Sequence, residues 1–264
     1  MYDFQYHKPT DLAAAADLLG QADDGTLMAG GQTLIPTLKQ RLAQPSDVID
    51  LGAIDGLDGI SRDGDAVVIG AMTTHAAVAA SDVVRDAIPA LADLAESIGD
   101  PAVRNRGTLG GSIANNDPAA DYPAAVVGLG ATIVTTAREI AADDFFTAMF
   151  ETALNDGEII TSVRFPVAEA AAYMKLPNPA SRYAIVGVFV ARTGGGVRVA
   201  VTGAAPSVFR AGDMEAALAG GMSADAVAGI QISADGLNED IHASAEYRAA
   251  MVTVMAKRAV AAAG

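Results

Sequence analysis

The chain has 264 residues, about half of them hydrophobic, and it carries 32 acidic against 17 basic side chains. This length predicts two domains, or one domain with a divided core. The formal net charge of −15 argues against a nucleic-acid backbone or an anionic membrane surface as the partner.

Cysteine is absent and histidine is scarce. Iron–sulfur clusters need thiolate ligands, and the three histidines, His7, His75 and His242, are too scattered for a metal triad. We therefore expect no metal site in this chain, so any metal centre that exchanges electrons with it must lie on another polypeptide. The amino-terminal residues show no basic region followed by an apolar one, and no apolar stretch is long enough to cross a bilayer. We expect a cytoplasmic protein.

The first half of the chain alternates predicted helices and strands. A helix is predicted over 11–21 with Thr10 as its N-cap, and a strand over 26–29 runs into a pair of glycines. A helix over 34–41 follows, which points its free N–H groups at this turn. Strands are predicted over 47–50 and 66–69, helices over 74–80 and 87–96, and then a second glycine turn.

The second half begins with a predicted helix over 123–129 and a strand over 131–135. A domain boundary is expected near 168–172. Strands over 173–176, 183–192 and 197–205, with a glycine-rich hairpin at 194–196, predict a three-stranded antiparallel sheet. Helices are predicted over 212–219, 224–231 and 243–263. In the last one, Tyr247, Met251, Val254 and Met255 form a stripe that we expect to pack on the sheet.

Two glycine-rich segments carry the main functional signal. The first glycine motif, residues 29–36, reads Ala-Gly-Gly-Gln-Thr-Leu-Ile-Pro, and the second, residues 108–115, reads Thr-Leu-Gly-Gly-Ser-Ile-Ala-Asn. Glycines beside small polar side chains let the backbone approach a ligand and offer several N–H groups to an anion. Either motif alone is more often a tight turn, and neither is a Rossmann or P-loop signature. Together they predict a pyrophosphate site outside the ordinary nucleotide-binding folds.

Residues 100–123, around the second glycine motif, resemble the second flavin motif of the medium, FAD-binding subunit of molybdenum hydroxylases, and the first glycine motif resembles the first. The similarity extends from residue 4 to about 260 and includes segments 70–75, 157–166 and 181–188. This family includes carbon monoxide dehydrogenase and the xanthine dehydrogenases. The resemblance implies an α+β (α/β) fold: a vanillyl-alcohol-oxidase-type (PCMH-type) FAD-binding domain over 1–170, with subdomains of about 1–55 and 56–170, and a C-terminal domain over 171–264.

The resemblance implies that both motifs hold the FAD diphosphate. The N–H groups of residues 30–34 are expected to bind it, with added hydrogen bonds from the side chains of Gln32 and Thr33. The second glycine motif is implied to hold the other side of the diphosphate and the adenosine half. The implied positions are Met28, Ala29, Gly30, Gly31, Gln32, Thr33, Leu34, Ile35, Thr108, Gly110, Gly111 and Ser112.

Four later positions are implied to contact FAD. Asp121 would bind a cofactor hydroxyl, Ile160 would pack on the isoalloxazine, Lys175 would lie near its pyrimidine end, and Tyr183 would cover the flavin face. From the residues alone, simpler roles stay open: a helix N-cap for Asp121, a core position for Ile160 and Tyr183, and a solvated Lys175. His75 is expected to be a surface residue in a first helical turn, outside the site.

The resemblance implies an electron-transfer subunit. FAD would accept single electrons from a small [2Fe–2S] subunit and pass pairs to an external acceptor, while a large subunit carries molybdopterin, in a dimer of heterotrimers. This step needs no acid–base side chain, so no catalytic residue is predicted. Two alternatives remain: a self-sufficient FAD-dependent oxidoreductase such as a UDP-N-acetylenolpyruvoylglucosamine reductase-like enzyme, and a scaffold that has lost its flavin. The second glycine motif and segment 181–188 favour the medium subunit.

Overall fold

Four β-sheets organise residues 1–263, the part of the chain that the structure, a computed structural model, describes. The strands are β1 (Gln5–His7), β2 (Gly25–Met28), β3 (Asp47–Asp50), β4 (Ile60–Asp63), β5 (Ala66–Gly70), β6 (Thr132–Thr135), β7 (Glu139–Ala141), β8 (Phe146–Ala148), β9 (Glu151–Thr152), β10 (Ile160–Pro166), β11 (Ala170–Pro177), β12 (Ala184–Thr193), β13 (Gly196–Thr202) and β14 (Phe209–Arg210). The helices are α1 (Leu12–Gln21), α2 (Leu34–Lys39), α3 (His75–Ala80), α4 (Asp82–Ala87), α5 (Pro89–Glu96), α6 (Pro101–Arg104), α7 (Leu109–Asn115), α8 (Tyr122–Leu129), α9 (Ala142–Phe145), α10 (Gly212–Leu218), α11 (Ala224–Val227) and α12 (Ala245–Ala263).

A small parallel sheet, in the order β1-β3-β2, carries the first glycine motif at the end of its edge strand β2. Helix α1 packs on this sheet and buries Ala15 against Ile49. The helix begins one residue later than predicted, because the Asp11 side chain, not that of Thr10, accepts the capping hydrogen bond from Ala14 N–H. The same small core includes Ile159, which directly precedes β10 of the next sheet.

The second sheet is antiparallel and runs in the order β4-β5-β10-β6-β7. Helices α4, α7 and α8 contact its strands, and α8 is buried along its whole length. The helix predicted over 87–96 is divided: α4 ends at Ala87, and α5 begins at Pro89, whose ring fits the first position of a helix. The second glycine motif is also not the predicted turn. It forms helix α7, which Thr108 caps.

The third sheet is antiparallel, in the order β11-β12-β13-β14. Its first three strands and the hairpin at Gly196 are the predicted ones, and β14 adds a fourth strand of only two residues, too short to leave a sequence pattern. One face of this sheet packs Phe189 on α8, and the other packs on α12. The sheet therefore lies between helix α8 and the last helix, α12.

The buried face of α12 differs from the predicted stripe. Met255 is buried and Met251 and Val254 pack against the same core as expected, but Tyr247 is half exposed. The fully buried positions of the helix are Arg248, Ala249, Val252, Met255, Ala256, Ala259 and Val260. Arg248 is tolerated there because its guanidinium donates to two backbone carbonyls and to Asp240. Across residues 1–263, no helix combines the length and apolar character that a membrane crossing requires.

Candidate functional site

A cavity of about 510 Å³ lies where the three main sheets meet. Its walls come from the first glycine motif, helix α7, the start of β10 and the loop that joins β11 to β12. Of the sixteen residues implied by the family resemblance, fourteen line this cavity; Ile35 and Lys175 do not. Residues separated by more than 150 positions in the sequence therefore meet at one site.

Two glycines set the shape of the first glycine motif. At Gly30, an added Cβ would lie 1.9 Å from the carbonyl oxygen of Arg106, so only glycine lets these two backbone segments approach each other. Gly31 has a φ of +72°, which disfavours any side chain, and a Cβ there would also press on Ile35. Ile35 thus packs beside Gly31 without lining the cavity.

The backbone of the first glycine motif keeps a run of free donors. Within residues 1–263, the N–H groups of Gly30, Gly31, Gln32, Thr33 and Leu34 find no hydrogen-bond acceptor. The first hydrogen bonds of α2 run from Ile35 N–H to Gly31 O and from Thr37 N–H to Thr33 O. The N–H groups of residues 30–34 lie before the first of these donors and take no part in the helical hydrogen bonds. A row of unpaired N–H groups at a helix start is suited to bind a phosphate oxygen.

The second glycine motif differs, since its backbone donors are already used. Leu109 N–H donates to Thr73 O, Gly110 N–H to Ala71 O at 2.8 Å, and Gly111 N–H to the Thr108 hydroxyl. Gly110 is needed for close packing, because an added Cβ would lie 2.6 Å from that of Ala71. What this segment presents to the cavity is polar side chains, Ser112 and Asn115 among them.

Ile160 lines the cavity from a β-bulge in β10. It pairs with Thr135 of β6, and the register shifts before Ser162. Bulges re-aim side chains near functional sites, and this one directs a buried isoleucine at the cavity. Just upstream, Glu158 is anchored by Arg138 and by the Thr135 hydroxyl, contacts that hold the pKa of the Glu158 carboxyl at about 2.

Asp121 lies at the start of α8 but does not cap it. Its backbone is helical and its side chain accepts no bond from the first turn, so the N-cap alternative is wrong. The carboxylate instead accepts hydrogen bonds from the Tyr173 hydroxyl and the Lys175 ammonium. Burial raises the pKa of Asp121, while the charge of Lys175 opposes that rise.

Lys175 is almost fully buried, not solvated. Its ammonium lies 3.0 Å from Asp121 and donates to the carbonyl oxygen of Ser97. The side chain lines a second, smaller cavity of about 430 Å³ that adjoins the large one at Arg182. The implied contact of Lys175 with the flavin therefore stays a prediction, and its observed partner is Asp121.

Tyr183 precedes β12 on a tightly closed loop. The Asn178 side chain accepts bonds from Ala180 and Ser181 N–H, and Asn178 N–H donates to Tyr183 O. Arg182 has a left-handed backbone with φ +64° and reaches Gly99 O. Tyr183 itself lines the cavity and is 48% exposed, so the alternative of a core tyrosine is wrong.

His75 was expected at the surface, and that expectation is wrong. The residue begins α3 after Thr74, as predicted, but it is only 5% exposed because its ring packs on Tyr122. Its backbone N–H donates to Gly107 O. His75 lines the cavity. A run of small apolar residues after it was the only sign in the sequence that this helix is buried.

The geometry describes a protein that binds a diphosphate-containing, ring-bearing cofactor: free backbone donors at one end, an apolar wall at Ile160 and an exposed aromatic at Tyr183. Residues 2–168 match the family model described as the FAD binding domain in molybdopterin dehydrogenase. The chain therefore belongs to this family, the FAD-binding medium subunits of molybdenum hydroxylases.

Relatives of known activity cover nearly the whole chain. The carbon monoxide dehydrogenase medium chain of Hydrogenophaga pseudoflava is 37% identical over 98% of this chain and 96% of its own length. The nicotine 6-hydroxylase medium subunit of Paenarthrobacter nicotinovorans is also 37% identical, over 98% and 97%. The solved carbon monoxide dehydrogenase from Hydrogenophaga pseudoflava superposes with a TM-score of 0.90 at 38% identity, over 99% of this chain and 97% of that one. The FAD-binding assignment and the mixed α/β fold expected from the sequence are confirmed.

Proposed function

We propose that FAD binds in the large cavity with its diphosphate on the N–H groups of residues 30–34, and that the protein transfers electrons from an iron–sulfur subunit to an external acceptor. The run of five unpaired N–H groups beside Gly30 carries this proposal, because no neutral ligand group needs so many donors in a row. The cavity also offers the apolar wall and the exposed aromatic that a flavin ring requires.

When bound, FAD supplies the ability to take up electrons singly and release them in pairs. The protein's own residues hold and screen it. The first glycine motif fixes the diphosphate, Ser112 and Asn115 line the cavity and offer side-chain hydrogen bonds, and the half-exposed Tyr183 covers the flavin ring. None of these roles requires a group that gains or loses a proton.

The partners follow from what this chain can hold. It has no cysteine, so the electron donor must carry its clusters on another polypeptide. We propose a small [2Fe–2S] subunit and a large molybdopterin subunit, assembled in the cytoplasm as a dimer of heterotrimers. The relatives support this arrangement, since several are named as medium chains or subunits of dehydrogenase complexes. The self-sufficient enzyme is the less favoured alternative, because it predicts no such relatives over the full chain.

Cofactor titration of the purified full-length chain tests the site. Gly31→Val forces a branched side chain into a left-handed backbone beside the donors, and we expect FAD affinity to fall roughly 100-fold. Gly236→Val is the matched control, because Gly236 also has a positive φ but no atom lies near its added Cβ. Wild-type affinity in a folded Gly31→Val variant would remove the first glycine motif from the site.

Coexpression tests the electron-transfer role. The isolated chain should oxidise no hydroxylase substrate and should pass electrons only from an artificial donor to a dye. The complex with its neighbouring iron–sulfur and molybdopterin subunits should bleach the flavin absorbance when substrate is added. Substrate oxidation by the single chain would favour the self-sufficient enzyme instead.

A further inference from the structure

Two buried polar atoms without partners lie below the large cavity, on neighbouring rings. Within residues 1–263, neither the His75 Nδ1 nor the Tyr122 hydroxyl makes a hydrogen bond, although both are inaccessible to solvent. The ring centroids are 5.3 Å apart and the planes are tilted by 46°. An unpaired buried polar group costs free energy, so two of them side by side call for an explanation.

The protonation states of this pair are set by burial. Desolvation, aided by the positive charge of Arg104, lowers the pKa of His75 to about 4, so the imidazole is neutral at pH 7. Burial and the nearby Asp121 raise the pKa of Tyr122, so its hydroxyl keeps its proton. The pair thus consists of a neutral imidazole and a phenol.

One arrangement satisfies both atoms. If the two side chains move into contact and the Tyr122 O–H donates directly to a lone pair on Nδ1, neither group is left unpaired. If Nδ1 carried the proton and donated to the phenol oxygen, the hydroxyl proton would lack an acceptor. The first arrangement places the imidazole proton on Nε2.

His75 lines the cavity, and Nε2 is its other ring nitrogen. It also has no protein partner, but unlike Nδ1 it is not fully buried. It lies against Gly107, where an added Cβ would come within 2.6 Å, so the glycine leaves this nitrogen uncovered. Gly107 follows Arg106, whose carbonyl oxygen touches Gly30. The free donor therefore lies beside the first glycine motif.

We propose that His75 is a cofactor-binding residue: its neutral imidazole, with the tautomer fixed by Tyr122, donates a hydrogen bond from Nε2 to an acceptor atom of the bound FAD. This rests on the proposed location of FAD in the large cavity. The role of His75 is to hold the cofactor, and that of Tyr122 is to position the imidazole.

The tautomer can be measured without any cofactor. Long-range ¹H–¹⁵N correlation spectra of the full-length chain distinguish the two neutral tautomers, and His75→Gln identifies the His75 signals among three histidines. We expect the Nε2–H form in the wild type and a mixture in Tyr122→Phe, which removes the hydroxyl and keeps the ring. A wild-type His75 in the Nδ1–H form would overturn the inference.

FAD affinity provides the second measurement. His75→Gln retains a donor near the position of Nε2, and we expect its Kd for FAD to stay within about threefold of wild type. His75→Phe keeps a ring for packing on Tyr122 but has no donor, and we expect a roughly tenfold weaker Kd. A folded Phe variant with wild-type affinity would show that His75 only fills space.

Gly31→Val separates the two proposals. If that variant loses FAD while His75→Phe binds normally, the inference about His75 fails and the site stands. If both bind normally, FAD lies elsewhere and the proposed location fails with it.

Discussion

The two glycine motifs look alike in the sequence but have different roles in the structure. In the first, Gly30 and Gly31 allow a tight backbone path that leaves five N–H groups without partners. In the second, Gly110 lets helix α7 touch Ala71, and the N–H groups of its first turn are bonded to protein acceptors. The first motif leaves its backbone donors free for a ligand, while the second uses its donors within a close-packed wall of the cavity.

The difference comes from what precedes each helix. α2 starts without a side-chain cap, since Thr33 makes no capping bond. α7 starts behind Thr108, whose hydroxyl accepts from Gly111 N–H, and the backbone of residues 71–73 takes two more donors. A pair of glycines therefore indicates that another group comes close to the backbone. Whether the N–H groups there are free or already bonded shows if that group can be a ligand or is another part of the protein.

Gly30→Ala should have the largest effect. The added Cβ meets the carbonyl oxygen of Arg106, a backbone atom that cannot rotate away, so the free donors must shift. We expect FAD affinity to fall at least about 1,000-fold, roughly 4 kcal/mol. Equilibrium titration of flavin fluorescence measures it. Gly20→Ala, with open space at the Cβ position, is the control and should bind FAD like the wild type.

Acidification should lower the stability of the protein through the buried His75. The pKa of this residue is about 4 in the folded protein and 6.5 in an unfolded chain, so the unfolded state binds more protons between these values. The free energy of unfolding should therefore drop as pH falls from 6.5 to 4, by about 3 kcal/mol for this residue. Urea titrations of wild type and His75→Gln at several pH values measure the difference. Equal pH profiles would show that the His75 imidazole protonates freely.

Gly110→Ala tests whether the second glycine motif contributes to stability rather than to FAD binding. The new methyl group would press on Ala71 at 2.6 Å, and overpacking of this kind costs about 1–3 kcal/mol of stability. Because the N–H of Gly110 is already bonded to protein, FAD affinity of the folded variant should change less than about threefold. Thermal melts and flavin titrations on the same samples separate the two quantities. A hundredfold loss of affinity at full stability would break the contrast between the motifs.

Tyr183→Ala should have the smallest effect on binding. The side chain lines the cavity and is half exposed, so stability should hardly change. We expect FAD affinity within about tenfold of wild type, since aromatic contacts of this kind contribute about 0.5–1.5 kcal/mol. The rate at which reduced flavin reacts with oxygen should change, because the role proposed for Tyr183 is to screen the flavin ring. Stopped-flow reoxidation at the wild-type rate would remove Tyr183 from the site.

Local signals were enough to predict most of the elements. Helix α8 and the strands β12 and β13 follow from apolar runs bounded by glycine or proline, and the hairpin at Gly196 follows from three adjacent glycines. Two departures, the cap of α1 and the buried positions of α12, depend on side-chain contacts that a run of residues does not reveal. Thr10 and Asp11 are both good cap residues, and the Asp11 side chain accepts the capping bond. In α12, Arg248 can be buried because its guanidinium donates to two backbone carbonyls and to Asp240.

The sequence by itself determined the family, the cofactor and the segments that contribute to the site, because motifs of consecutive residues carry that information. Only the tertiary structure decided which N–H groups remain free, that His75 is buried against Tyr122, and that Lys175 pairs with Asp121. Each of these depends on partners that lie from about 30 to more than 50 residues away along the chain. A donor is free, or a side chain buried, only with respect to what the fold places beside it, and no local pattern encodes that neighbour.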